Sequence, residues 1–307
     1  MAQLTVSEVL EKIAAGQSLA QAELSALDLS ERNIDGGDFT GAYLRRTNLK
    51  NASCHRANFT KATLILAELQ ASTLTEAILE QAILTQANLT QANLQKAKAT
   101  KIKLQGATLE QINGADSCFD EADLTTVKAN HANLERASFI QAKANQSDFT
   151  EANLTSANLN RSQWQAAILS KVTLTSADLS QSNFTKAILI GANLSKIHGI
   201  KAIFHQAELA QALLLSAQLE WADFWRADLT AANLQQASLF NASLELANLT
   251  DANLLAADLR EANLSQANLT NVNLEGAKVE GAIFGDTIGL TNEQKAKLKQ
   301  NGALDLA

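Results

Sequence analysis

The sequence of 307 residues has no proline, only two cysteines and only 5% aromatic residues. Without proline, it contains none of the proline-rich linkers that often separate domains. Cys54 and Cys118 are too far apart in sequence for a metal-ligand motif, and two cysteines do not make a disulfide framework. No apolar run approaches the length of about 18 residues that marks a membrane-spanning helix. We therefore expect no membrane association.

Basic residues are also too few for a nucleic-acid-binding surface. The chain has 25 lysines and arginines against 32 aspartates and glutamates, which gives a formal net charge of −7. Non-specific binding to nucleic acid needs a basic surface, so we expect no direct contact with it. The first residues, MAQLTVSEVLEKIAAG, lack the basic segment and apolar stretch of a signal peptide. This predicts a cytoplasmic protein.

Most of the sequence consists of one five-residue repeat unit, which we call a word. From Leu29 to Phe284 every fifth residue occupies the same phase, giving 52 words without an insertion. This central position is Leu or Phe in 43 of the 52 words, and the position two before it is Ala in 37 of them. A helix would turn each centre about 140° from the last, so no apolar face could form. A backbone that turns a corner after each word would instead bury every centre and every preceding Ala.

These words, such as ANLTD, ANLLA and ADLRE from residue 247 onward, resemble the pentapeptide-repeat family with its pattern A(D/N)LXX. The resemblance implies an all-β solenoid, a right-handed quadrilateral β-helix with four words in each coil and about 13 coils. It assigns residues 27–286 to the repeat. The family is abundant in cyanobacteria, so the resemblance favours a cyanobacterial source.

Both flanks of the repeat read as short helical caps over the ends of the solenoid. Residues 1–26 contain a capping box at Thr5–Glu8, and residues 287–307 contain another at Thr291–Gln294. The second helix has few apolar residues, so we favour a cap and a monomer. The alternative is that this C-terminal helix forms a dimer, as in some members of the family.

Several centres depart from Leu or Phe. Ala99, Gly114, Ala129 and Ala144 follow one another at intervals of 15 residues. Ile112 replaces the usual Ala before Gly114, which predicts that the larger side chain refills the volume. Ala99 and Ala144 are preceded only by Ala, so they predict either cavities or a local narrowing.

Outward residues 20 apart should stack directly above one another on the solenoid. The rule predicts a column of alternating charge, formed by Arg56, Glu76, Lys96, Asp116 and Arg136. It also predicts an exposed cluster, named here the tryptophan patch: Lys201, His205, Trp221, Trp225 and Arg226. Tryptophan beside cations is typical of protein interfaces, and the alternative is that these side chains only shield the corner of a coil.

One side of the solenoid collects acidic residues. This acidic face comprises Asp28, Glu68, Glu110, Asp148, Glu151, Glu208, Asp228 and Asp251.

No arrangement of residues indicates catalysis. The four histidines fall on different coils and sides, and no glycine-rich phosphate loop is present. We therefore predict no catalytic, cofactor-binding or metal-binding residues and no cofactor. The favoured hypothesis is a non-enzymatic scaffold that binds an unidentified protein partner through regular side-chain ladders. One alternative, implied by the family, is an acidic mimic of DNA that binds a type II topoisomerase or another DNA-binding protein. A further alternative is a passive structural protein.

Overall fold

The computed structural model describes residues 4–306, so residues 1–3 and 307 of the predicted caps lie outside the described part. The chain divides into two compact units, Met1–Asn158 and Leu159–Ala307. We call them the N-terminal unit and the C-terminal unit and describe each by itself.

Each five-residue word ends in a tight turn. The carbonyl of the central residue accepts a hydrogen bond from the N–H three residues later, as between Phe39 and Ala42 at 2.9 Å. The residue two after the centre takes a left-handed conformation, with φ between 53° and 61° in the non-glycine cases of the repeat. This is the pattern of a type II turn. It turns the chain through a corner after every word.

Successive coils pair in parallel at a spacing of 20 residues. The bridges run from Glu23↔Tyr43 to Ser138↔Asn158 in the N-terminal unit. In the C-terminal unit they run from Gln163↔Asn183 to Asn268↔Ile288, with one further bridge, Ile283↔Leu304. Each word contributes a single bridging residue, so no longer strand forms among the described residues. Four words thus make one coil, as the family resemblance implied.

Three sets of backbone hydrogen bonds hold each coil to the next, and one of them is donated by the left-handed residue of each turn, as from the N–H of Leu246 to the carbonyl of Ser265 at 3.0 Å. The N–H of a central residue donates to the carbonyl 19 residues later, as from Leu244 to Asn263 at 2.7 Å. The N–H just before a centre donates to a carbonyl in the previous coil, as from Asn248 to Ala227 at 2.9 Å. The pairing begins at Leu19, before the predicted start of the repeat at residue 27. Leu19 already has the phase of the later centres, which explains the earlier start.

The core is the interior of the coils. The central Leu and Phe residues and the Ala residues before them are almost all fully buried. In the C-terminal unit, four consecutive centres on one side are aromatic: Trp164, Phe184, Phe204 and Phe224. Their rings stack at centroid distances of 6.1, 5.3 and 4.8 Å, with planes within 14° of parallel. Direct stacking at 20-residue intervals therefore applies inside the coil.

At the irregular centre Gly114, the space of the missing side chain is filled by neighbours, as the sequence predicted. A Cβ atom there would lie 2.8 Å from Cδ2 of Leu134 and 3.6 Å from Cδ1 of Ile112. Neighbouring side chains therefore occupy the missing volume. Ala99 and Ala144 are fully buried as well.

Two helices flank the repeat. Helix α1 spans Val6–Ala14, and Thr5 and Glu8 form the predicted capping box. Helix α2 spans Asn292–Gln300, with a capping box between Thr291 and Gln294. Each helix buries one residue, Val9 in α1 and Leu298 in α2. After α2 the chain returns to the coil, and the N–H of Phe284 donates to the carbonyl of Leu304 at 3.0 Å.

Candidate functional site

The turn geometry pushes the tryptophan patch outward. Trp221 is the left-handed residue of its turn, with φ at 61°, and it projects from a corner of the coil with 54% of its surface exposed. Trp225 is the first turn residue of the next word and is half-buried. Both rings belong to the C-terminal unit, where a smaller side chain at either position would satisfy the fold. The requirements of the fold therefore do not explain why these two positions carry side chains as large as tryptophan.

Trp225 is enclosed by polar and charged groups. The His205 ring meets it edge to face, with centroids 5.7 Å apart and planes at 66°. On the Trp225 ring lies the guanidinium of Arg226, 4.6 Å from the centroid. A cation at this distance is attracted by the negative face of the ring, an effect of about 0.5–1 kcal/mol at an exposed site. The sequence predicted both neighbours of Trp225.

A shallow concavity of about 390 Å³ opens beside Trp225. Its lining includes His205, Asp223 and Glu245. Nε2 of His205 lies 2.7 Å from Oδ2 of Asp223, although the two groups are not aligned as a hydrogen bond. This ion pair holds only when the imidazole is protonated. The concavity can therefore receive a small polar or cationic side chain between two carboxylates.

Trp221 has a neighbour that the sequence did not predict. Its ring meets Phe240 edge to face at 6.3 Å, whereas the 20-residue rule had placed Lys201 beneath it. The guanidinium of Arg260 lies 5.7 Å from the Phe240 centroid and makes a two-pronged ion pair with Asp258. Phe240 precedes the expected stacking position by one residue, so inspection at intervals of 20 overlooks it. The exposed aromatic surface thus extends beyond the predicted patch.

The charges beside Phe240 are paired with one another. Hydrogen bonding from Arg260 holds the pKa of Asp258 below its usual value, despite partial burial that opposes the shift. Lys278 approaches the same carboxylate at 3.9 Å. Paired charges thus flank the exposed aromatic surface at Phe240, as a polar rim flanks an apolar anchor.

The predicted charge column is present in the N-terminal unit. Nε of Arg56 lies 2.8 Å from Glu76, and Nε of Arg136 lies 2.7 Å from Asp116. His131, on another column, pairs with Glu151 at 3.4 Å. Exposed pairs of this kind contribute about 0–1 kcal/mol each. They align neighbouring coils more than they stabilise them.

The acidic face is interrupted within each unit. In the N-terminal unit one bridged column includes Asp28, Glu68 and Asp148, but Asn48, Asn88, Thr108 and Lys128 separate these acids. Lys50 also approaches Glu68 at 3.7 Å. Glu110 is half-buried, and Glu151 pairs with His131.

In the C-terminal unit, the Glu208 and Asp228 positions are bridged neighbours. Asp251 accepts a hydrogen bond from Asn271 at 3.0 Å.

Within residues 4–306, no three His, Cys, Asp or Glu side chains gather in a way that could hold a metal ion. Cys54 is buried, and burial raises the pKa of its thiol far above the usual value. Over the same residues, neither helix is long and apolar enough to cross a membrane.

Comparison with known proteins identifies the repeat. A family model described as "Pentapeptide repeats (8 copies)" matches overlapping segments that cover nearly all of residues 28–286. The matched segments are 28–64, 38–75, 67–106, 92–128, 117–155, 132–163, 147–185, 167–198, 177–214, 217–254 and 247–286. A search of curated protein sequences found no match.

Several solved structures are similar to parts or all of this chain. HetL, a pentapeptide repeat protein involved in heterocyst differentiation regulation from the cyanobacterium Nostoc sp. strain PCC 7120, is 27% identical. That match covers 94% of this chain and 100% of HetL, with a TM-score of 0.25. Full-length QnrB1, a plasmid-mediated fluoroquinolone resistance protein, is 18% identical over 58% of this chain and 90% of QnrB1, with a TM-score of 0.28. A pentapeptide repeat protein of the Arabidopsis thaliana thylakoid lumen is 32% identical over 41% of this chain and 78% of its own, with a TM-score of 0.17.

Proposed function

Since the chain belongs to the pentapeptide-repeat family, we propose that it is a non-enzymatic scaffold that binds a protein partner through the tryptophan patch. We infer the finer architecture from the same membership: a right-handed quadrilateral β-helix in each unit, with the 52 words corresponding to about 13 coils. The partner would be a protein that meets the outer surface of the C-terminal unit, and the protein would act as a cytoplasmic monomer.

The exposed Trp221 carries this proposal. More than half of its surface is exposed, although burying an indole of this size is strongly favourable. Tryptophan and arginine are the residues most often responsible for binding energy at protein interfaces. Phe240 supports the Trp221 ring from one side, so the ring is partly ordered before a partner arrives. Shielding of the coil corner alone would not require the indole to remain this exposed.

The spacing of acidic residues on the acidic face argues against mimicry of DNA. Duplex DNA carries one negative charge per about 1.7 Å along its axis. Asp28 and Glu68 lie two coils apart in the N-terminal unit, which is about 10 Å at the usual strand spacing. Asn48 stands between them, and Lys50 further reduces the negative field. The density of negative charge along this face is therefore several-fold lower than along duplex DNA, too low to engage a protein whose surface is spaced for DNA phosphates.

The test is affinity capture from cells of the source organism with the purified full-length protein as bait. We expect a partner retained by the wild type and lost by a Trp221→Ala/Trp225→Ala variant. Ile190→Ala/Leu213→Ala is the matched control, because both residues are exposed at 39% in the C-terminal unit but belong to other sides of the coil. Equal retention by both variants would refute the assignment of the patch. Loss only after Glu208→Gln/Asp228→Asn would favour the acidic face and call for a supercoiling assay with a type II topoisomerase.

A further inference from the structure

The pairing between coils is interrupted at the C-terminal end of the C-terminal unit. The N–H of Leu269 donates to Ile288, and the N–H of Gly281 donates to Gly302. Between these points the regular pattern would require acceptors for the N–H groups of Asn271, Leu274, Gly276 and Val279. Within residues 4–306, none of these four N–H groups has a backbone acceptor. The reason is that the segment which would form the next coil is folded into α2 instead.

Helix α2 replaces the missing coil only in part. The side-chain amide of Gln294 donates to the carbonyl of Val272 at 3.3 Å, in place of the backbone N–H of a further coil. No such substitute reaches the carbonyl of Ala277 among the described residues. The helix sequence, NEQKAKLKQ, is polar and buries only Leu298. It therefore covers the end of the coil without closing it.

A cavity of about 940 Å³ lies between α2 and the last coil. Its wall includes Leu274, which is the one centre between Leu29 and Phe284 that is not buried. Ala277 is also part-exposed in this wall. The volume is in the range of about 300–1,000 Å³ that is usual for sites binding small ligands. The groove thus combines an apolar patch with a row of unpaired backbone donors.

Three acidic side chains lie at the rim of this groove. Glu275, Glu280 and Glu293 line it, all three are exposed, and no ion pair engages them within the described chain. Of the three lining cations, Arg260 and Lys278 are directed at Asp258, at 2.6 and 3.9 Å, and Arg260 is also attracted to Glu280, whereas Lys297 makes no ion pair within the described chain. The groove therefore has two unengaged carboxylates, Glu275 and Glu293, against one unengaged cation, Lys297, and it favours a cationic ligand.

We propose that this groove binds a basic peptide segment of a partner protein, which adds two sides of one further coil and turns the corner between them. A backbone that turns this corner as the words of the repeat do offers carbonyls at the spacing of the N–H groups of Leu274, Gly276 and Val279, and it adds to the open edge as a further strand would. The stacking of centres at 20-residue intervals requires an apolar side chain over Leu274. The acidic rim selects Lys or Arg between the apolar positions. This site is separate from the tryptophan patch and does not depend on the function proposed for it.

The probe is a fluorescein-labelled peptide, SNFTKAIL, which copies residues 182–189. Its Phe would lie over Leu274, and its Asn, Thr and Ile carbonyls would accept from the three N–H groups. Its Ile N–H would donate to the carbonyl of Ala277. Fluorescence anisotropy should show saturable binding below about 1 mM. N-methylation of the Ile nitrogen should weaken binding at least about tenfold, because it removes that donor while leaving the side chains unchanged.

The protein variant is Glu275→Lys/Glu280→Lys, which should also weaken binding at least about tenfold. Glu11→Lys/Glu31→Lys changes the net charge equally at exposed sites of the N-terminal unit and should bind like the wild type. So should Trp221→Ala/Trp225→Ala, which separates this site from the tryptophan patch. Absence of saturable binding, or equal affinity for the N-methylated peptide, would overturn the proposal. A concentration-dependent dimer that Glu275→Lys/Glu280→Lys abolishes, without peptide binding, would assign the groove to a second copy of the chain instead.

Discussion

Replacing Ser162 by Ala should destabilise the C-terminal unit, although Ala is the commonest residue at this position of the word. The indole N–H of Trp164 donates to Oγ of Ser162 at 2.7 Å. Both residues are buried, at 0% and 1% exposure. Oγ of Ser162 in turn donates to the carbonyl of Leu159. The hydroxyl therefore links the only polar atom of a buried indole to the backbone of the preceding turn.

The expected loss follows from the burial of both groups. Leaving a buried donor without an acceptor costs about 1–3 kcal/mol, because the N–H regains no contact with water in the folded state. Loss of the second bond, to Leu159, is less costly because a carbonyl retains other polar contacts of its turn. We expect the free energy of unfolding to fall by about 1–3 kcal/mol in Ser162→Ala.

Ser182→Ala is the matched control. Ser182 is equally buried and makes the same bond, to the carbonyl of Leu179, but the centre that follows it is Phe184, which has no donor. Its replacement should therefore change stability by no more than about 0.5–1.5 kcal/mol, the usual contribution of one neutral hydrogen bond. Urea titration in a Trp221→Phe/Trp225→Phe background would follow Trp164 fluorescence alone and report on this unit.

A double-mutant cycle tests whether the hydrogen bond between Ser162 and Trp164 causes the loss of stability. Adding Trp164→Phe removes the stranded donor, so Ser162→Ala should cost no more in that background than Ser182→Ala does in the wild type, with unfolding followed by circular dichroism because no tryptophan fluorescence remains. If Ser162→Ala and Ser182→Ala lose equal stability, or if the cost of Ser162→Ala persists beside Trp164→Phe, the hydrogen bond to the indole is not the cause.

Three other outcomes follow from the geometry of single residues. Thr126 is β-branched at φ 56°, so Thr126→Gly should raise the free energy of unfolding in urea by about 1 kcal/mol, whereas Gly106→Ala at φ 67° should lower it by a similar amount. Gly114→Leu restores the usual centre but overfills a space where even a Cβ meets a methyl at 2.8 Å, so its urea midpoint should fall, with a loss of about 1–3 kcal/mol. The pKa of Asp258 is lowered by Arg260, so its ionised form adds stability above the unfolded pKa of about 3.9 and loses it as the pH falls through the folded pKa. Asp258→Asn should therefore lose less stability than the wild type between about pH 7 and pH 3, and an identical pH profile would exclude this contribution.

The five-residue word predicted most of the coil, because its apolar positions and its constant length are both evident from the sequence. The 20-residue rule correctly paired Arg56 with Glu76 and Asp116 with Arg136. It worked because one word has one length, so every outward position returns to the same column. The two capping boxes were predictable for a different reason, since each depends only on residues three apart.

The turn conformation was not predictable from local preference. Left-handed φ usually favours Gly or Asn, yet here Gln, Lys and Glu adopt it throughout the repeat, as do Thr126 and Trp221. Hydrogen bonds to the coils on either side outweigh the local cost at each of these residues. Phe240 was missed because it contacts Trp221 across a corner rather than along a column. The open edge at Leu274 was hidden as well, since the words continue unchanged to Phe284.

A partner that contacts only the regular ladders would have no means of choosing its position. Each coil offers the same spacing of backbone and nearly the same polar side chains, so binding displaced by one coil would be almost as favourable. A unique complex needs a feature that occurs once, and specificity is the difference between the intended position and its displaced alternatives. The aromatic cluster at Trp221 and Trp225 is one such feature of the C-terminal unit, and the interrupted pairing at Leu274 is another. Sites of function are therefore best sought at positions that differ from the rest of the repeat.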